Sequence, residues 1–131
     1  MQEDFGRLAV RVGAGGLLLF HGIHKLLTGI EPIGAMLTAH QMPELIAYGV
    51  YFGEIVGPVL VILGFYARIG GLLIVLDMVL AILLARVDAL FALTAQGGYA
   101  LELESFYLLS GVAVVLLGAG RFAVGASGRW N

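Results

Sequence analysis

Four apolar stretches, each near the about 20 residues that an α-helix needs to cross a bilayer core, constrain this chain more than any other feature. They lie at about 7–27, 44–65, 68–92 and 103–120. Lipid offers backbone groups no water, so segments of this kind must form helices that satisfy their own N–H and C=O groups. The shortage of charge agrees. Only 12% of residues are charged and 60% are hydrophobic, whereas a soluble domain is about a quarter charged and needs that charge to stay dispersed. The mean hydropathy is +1.00. The expected fold is all-α: an integral membrane four-helix bundle, antiparallel, with residues 1–131 forming a single domain.

The connections are unequal. Thr28 to Pro43 holds two prolines and a candidate short interfacial helix, "IGAMLTAH", while Tyr66–Arg68 leaves room only for a hairpin. "TAQGGY" is a turn signal. The side carrying both termini and the second loop has Arg7, Arg68, Arg121 and Arg129, with Arg11 one turn into the membrane. The opposite side has only Lys25 and Arg86, beside Glu31, Glu44, Asp88 and Glu102. The positive-inside rule then places both termini in the cytoplasm of a multi-pass inner-membrane protein. The apolar run after Arg7 and Arg11 ends at "HGIHKL", not at a small-residue cleavage site, so no cleavable signal is expected. A net charge of −2 makes no case for nucleic acid, and zero cysteines exclude disulfides, thiolate metal sites and a thiol relay.

Arg11, Glu54, Asp77 and Glu104 fall inside the apolar stretches. A charge near the bilayer centre costs about 2.5–3.5 kcal/mol on insertion scales unless paired, protonated or hydrated. These side chains should therefore face the bundle interior. Helical phase agrees: Arg11, Gly15, Leu18, Gly22 and Lys25 share a stripe about 80° wide. Gly49, Gly53 and Gly57 form a small-residue ridge beside Glu54, Gly70 and Asp77 share a face, and Glu104, Gly111, Val115 and Gly118 align. Small-residue faces are where membrane helices pack closely. An unpaired guanidinium is costly at that depth, so Arg11 is expected to balance Glu54, Asp77 or Glu104. Pro58 has no N–H to give the carbonyl four residues back, which should leave the Glu54 carbonyl free.

His21 and His24 stand at i, i+3, but no third ligand is fixed by the sequence and no metal is expected. A polar network at the bundle mouth suits them better. An inward pocket is expected, bounded by His21, Lys25, Glu54, Asp77 and Glu104, open toward the non-cytoplasmic half, with Tyr107 and Phe52 as apolar walls. In such surroundings the neutral carboxyl is favoured, so Glu54 or Asp77 should hold a proton near neutral pH unless a cation lies close.

An arginine early in the first helix, then "FHGIHKL", "GEIVGPVLVILGFYARIGG", an acid before the fourth helix and a closing "GAGRF" resemble the DoxX family over nearly the whole chain. Position by position the pattern takes in Arg11, His21, Gly22, Lys25, Glu54, Arg68, one of Glu102 or Glu104, Gly118, Gly120 and Arg121. The family often follows "GAGRF" with a serine and an aspartate, where this chain has "AVGAS". The resemblance implies a small four-helix bacterial inner-membrane protein. Some relatives are subunits of a thiosulfate:quinone oxidoreductase, and others are linked to membrane complexes that handle thiols and oxidative stress.

Three functions are compatible with these residues. The first is a redox-associated subunit that binds a quinone or supports a partner oxidoreductase. Without cysteine, haem-ligand pairs or a dinucleotide fingerprint, the chain has no intrinsic cofactor and would supply protonatable groups, Glu54, Asp77 and His21, beside a quinone. The second is a non-catalytic scaffold, cargo receptor or assembly factor. The third is a carrier for a proton, an ion or a small lipophile, which four short helices could form only as a homo-oligomer.

Overall fold

The computed structural model describes residues 1–125 and 128–131, so Ala126 and Ser127 of the "AVGAS" tail lie outside the described residues. Among those described, the regular secondary structure is helical apart from one isolated bridge between Leu93 and Tyr99. The helices are α1 (Gln2–Thr28), α2 (Glu31–Ala39), α3 (Glu44–Leu63), α4 (Ala67–Ala85) and α5 (Glu102–Leu117). α3 and α4 are each long and apolar enough to cross a membrane.

α1 extends several residues before its apolar stretch. Glu3 and Asp4 occupy its first turn and Lys25 its last, the arrangement that complements the helix dipole. Phe5 in that polar first segment packs on Phe122 at 4.9 Å between ring centroids. Gly29, at φ 92°, ends the helix by returning its N–H to the Lys25 carbonyl.

α3 changes its pitch along its length. It opens as a 3₁₀ helix (Glu44–Gly49), widens into a π turn (Phe52–Val56) and finishes as an α-helix (Gly57–Leu63). Pro58 is the physical cause. It cannot donate a hydrogen bond, and before it the pairing shifts by one residue, with the Gly57 N–H reaching the Phe52 carbonyl. Such π turns sit preferentially at functional positions.

The third apolar stretch was expected to stay helical to about residue 92, but α4 stops at Ala85. Arg86 leaves helical geometry at φ −131°, and Val87–Ala89 form only a 3₁₀ turn. The apolar run continues, but the arginine side chain turns back to the Ala100 carbonyl and Glu104, and the backbone turns with it. Hydropathy locates a span, not a helix end. The "TAQGGY" turn closes with Thr94 N–H donating to the Gly98 carbonyl and Gly97 at φ 84°.

α1 packs on α3 and α5, and α4 packs on the same two helices. The register pairs run in opposite directions: Arg11 meets Ile62 while Lys25 meets Glu54, and Arg68 meets Val115 while Arg86 meets Glu104. Glycines permit the approach. A Cβ at Gly71 would lie 2.8 Å from the Gly111 carbonyl, and one at Gly111 2.9 Å from the Gly71 carbonyl. The core between the helices is Leu18, Val61, Ala67, Ile74, Met78, Tyr107, Val114 and Ala119. Large apolar side chains cover the outside instead: Leu17, Phe20, Leu76, Leu83, Phe106 and Leu116 are each at least half exposed. Glycines at the helix contacts and large apolar side chains over the outer surface is the arrangement that suits lipid, not water.

Candidate functional site

The stripe expected to face inward on α1 does so. Its buried residues are Arg11, Gly15, Leu18 and Gly22. The polar side chains of the interior divide into two groups, one at each end.

Arg11 is 1% exposed, and among the described residues no carboxylate pairs with it. Its Nε donates to the Val61 carbonyl at 2.8 Å, Nη2 to Ile62 at 2.9 Å, and Nη1 to Ala119 and Phe122 at 2.6 and 2.7 Å. The expected balance with Glu54, Asp77 or Glu104 is thus replaced by four backbone oxygens. Gly64, at φ 70°, explains why they are there. It turns the end of α3 left-handed, and Gly64 and Phe65 both donate to the Leu60 carbonyl. Gly64 N–H also reaches the Val61 carbonyl, at a longer 3.3 Å, so the closure leaves the Ile62 carbonyl and a second lone pair on Val61 for another donor. Arg68 repeats the device on α5, donating through Nη1 to Val115 and Leu116 at 2.5 and 3.2 Å. Both cations also lie at the negative end of a helix dipole.

The second group is the candidate site. Lys25 Nζ lies 2.5 Å from Glu54 Oε1, with the lysine side chain 29% and the glutamate side chain 7% exposed. Gly22, one turn before Lys25, brings the two helices together: a Cβ there would overlap the Glu54 carbonyl. The oxygen expected to stand free is therefore covered by α1. On the other side, a Cβ at Gly53 would overlap the Asp77 side chain. The two glycines thus set a lysine, a glutamate and an aspartate from three helices side by side. Glu54 Oε2 and Asp77 Oδ2 are both buried without a hydrogen-bond donor.

These three residues lie at the edge of a cavity of about 370 Å³ between α2, α3 and α4. Its remaining walls are apolar, with Met36 and Leu37 from α2, Phe52 from α3, and Leu76, Leu80 and Ala81 from α4. Larger concavities, about 520 and 420 Å³, lie at the arginine-rich end between Arg68, the close of α5 and the C-terminal residues. An apolar chamber with a few convergent polar groups is the usual form of a small-molecule site, and the cavity at Lys25, Glu54 and Asp77 has that form.

The other expected site residues are elsewhere. His21 is exposed, and its ring meets Tyr107 edge-on at 6.0 Å. Tyr107 is buried in the core, not on the cavity wall. Glu104 pairs with Arg86 at 3.3 Å and ties α5 to the end of α4. Among the described residues no group of three His, Asp or Glu side chains is placed to hold a metal ion. Sequence reasoning missed the contribution of α2. Its signal was the "IGAMLTAH" segment, in which Ile33, Met36 and Leu37 recur at helical spacing and now line the cavity.

The DoxX family model matches residues 6–87, a span that includes Arg11, Lys25, Glu54, Arg68 and Asp77 and stops before Glu104. A protein of Bacillus subtilis (strain 168) described as "Putative oxidoreductase CatD" is 32% identical over 105 residues, covering 80% of this chain and 78% of that relative. No solved structure matches the chain.

Proposed function

The chain belongs to the DoxX family of membrane proteins, and from that premise we propose that it is an oxidoreductase-associated subunit that binds a quinone in the cavity at Lys25, Glu54 and Asp77. The observation that carries this reading is the cavity itself. It is about 370 Å³, apolar on most sides, and edged by one cation, the buried Glu54 and the half-buried Asp77, each acid with one buried carboxyl oxygen. A quinone ring needs an apolar slot and hydrogen bonds at its carbonyl oxygens. Lys25 and a protonated carboxyl group can donate them. The oxidoreductase description of the Bacillus relative adds support for redox work, and because this chain has no cysteine, electrons would pass through a partner protein.

The test is direct titration of the purified protein in lipid nanodiscs with a short-chain benzoquinone. Ala81→Phe places a ring in the cavity and leaves the polar trio in place, and it should abolish saturable binding. Glu54→Gln removes one charge-assisted contact and should weaken binding about tenfold or more. Unchanged affinity in both variants would remove the quinone from this cavity.

The topology belongs to the same proposal: α1, α3, α4 and α5 cross the inner membrane as an antiparallel four-helix bundle, with both termini in the cytoplasm. Arg7, Arg68, Arg121 and Arg129 gather at the end that holds the termini, which is the bias expected of the cytoplasmic side. Single cysteines at Gln41, in the α2–α3 connection, and at Arg129 should react with an impermeant thiol reagent from opposite faces of oriented vesicles. Labelling of both from one face would refute the arrangement.

A further inference from the structure

Two carboxyl groups and one lysine do not balance. Glu54 is 5% exposed, and its Oε1 is taken by Lys25. Its Oε2 is buried and has no donor, and Asp77 Oδ2 is in the same condition. Yet the two carboxyl groups are close neighbours: both line the same cavity, and Gly53, next to Glu54, is pressed against the Asp77 side chain. Two ionised carboxylates have only acceptors and would repel. Placed side by side away from water, they do not both ionise.

We propose that Glu54 and Asp77 share a single proton between Oε2 and Oδ2, so that with Lys25 the site is electrically neutral and a remaining N–H of Lys25 is the hydrogen-bond donor offered to a neutral, carbonyl-bearing occupant of the cavity. The last clause rests on the quinone reading, whereas the shared proton rests on the trio alone. Lys25 holds Glu54 in position through Oε1, which leaves Oε2 without a donor of its own. One proton gives both orphaned oxygens a partner, and no further group is needed. Among the described residues, the ionisable side chains that act on this pair are Lys25 from α1 and Tyr107 from α5. The α2 wall of the cavity contributes Ile33, Met36 and Leu37, none of them ionisable. A neutral site exerts no net pull on an anion, so a fatty-acid carboxylate gains nothing there that a quinone lacks. The occupant is selected by shape and by its acceptor oxygen.

Infrared spectroscopy of the ligand-free protein in nanodiscs tests the proton without reference to any ligand. The wild-type protein should show one buried protonated carboxyl, seen as a carbonyl stretch that shifts in heavy water and disappears at alkaline pH. Glu54→Gln and Asp77→Asn should each abolish it. In either variant a side-chain amide N–H replaces the shared proton, and the remaining carboxyl ionises against Lys25. If the stretch is absent from the wild type, or if either single variant keeps it, the proton is not shared and the proposal falls. A wild-type signal that both variants abolish, together with no binding of a short-chain benzoquinone, would keep the shared proton and reject the quinone.

Discussion

Arg11→Leu should cost about 4 kcal/mol of stability, the largest loss expected from any single substitution in the chain. Four carbonyl oxygens, those of Val61, Ile62, Ala119 and Phe122, accept from this one guanidinium, and among the described residues only Val61 has a second donor, the Gly64 N–H at 3.3 Å. A bond to a charged group contributes about 1.5–3 kcal/mol, and a buried acceptor left without its donor costs about 1–3 kcal/mol. These contributions are not additive, but even half of their sum is a large share of a stability of about 5–15 kcal/mol. Arg11→Lys should recover little of the loss. A single ammonium cannot reach carbonyls on the α3 side and the α5 side together, whereas the planar fork of arginine does. Thermal unfolding of the three proteins in the same detergent measures both effects. Neutralising Glu54, Asp77 or Glu104 should not rescue Arg11→Leu, because none of them touches the guanidinium. Rescue by any of these would mean that Arg11 is held by an ion pair after all. A loss below about 1 kcal/mol would mean that the carbonyls find other donors.

Why the partner of Arg11 was hidden in the sequence bears on what a sequence can disclose. The cost of a charge in lipid is local, so the inward direction of Arg11, Gly15, Leu18 and Gly22 follows from periodicity alone. The identity of the partner is not local. Carboxylates can be counted in a sequence, whereas a carbonyl becomes available only when a helix ends in a particular way. Here the left-handed turn at Gly64 leaves the Ile62 carbonyl free and that of Val61 only partly used, and the segment after α5 supplies the other two. The family-like pattern then acquires a physical meaning. Arg11 and Arg68 close helix ends, Gly22 lets α1 reach Glu54, and Gly118 and Gly120 stand at φ 73° and 76°, conformations that favour glycine.

The candidate site was legible to a similar depth. Glu54 and Asp77 stood out through their cost in lipid, and Pro58 marked α3 as irregular. The form of that irregularity did not stand out. A π turn inserts an extra residue per turn, which lets adjacent Gly53 and Glu54 both be buried, one against α4 and the other against Lys25. Glu104 was grouped with the site because it shares a face with Gly111, yet it lies near the helix start, where Arg86 reaches it. The cavity depends on α2 folding over α3 and α4, a long-range placement that no local pattern encodes.

Depth also decides the second large effect. Lys25→Met should destabilise the protein by about 2–3 kcal/mol, clearly more than Glu54→Gln. Removing one partner of a buried pair leaves the other uncompensated, at a cost of about 3–5 kcal/mol when both are fully buried. The 29% exposure of the lysine side chain lowers that figure through solvent screening. The two partners are not equivalent. Lys25 stands in the last turn of α1, four residues before Gly29, and without Glu54 its flexible stem can carry the ammonium to the interface. Glu54 is on the rigid π turn, only 5% exposed, and has no such escape. Without Lys25 it must stay charged in an apolar surround or take up a second proton alongside Asp77, and either route costs stability. Adding Glu54→Gln to Lys25→Met removes the stranded charge, so the double variant should be more stable than Lys25→Met alone. Equilibrium unfolding of the wild type, both single variants and the double variant closes this cycle. If Lys25→Met proves no worse than Glu54→Gln, or if the double variant shows only the sum of the two losses, Lys25 and Glu54 contribute independently and the trio is not an energetic unit.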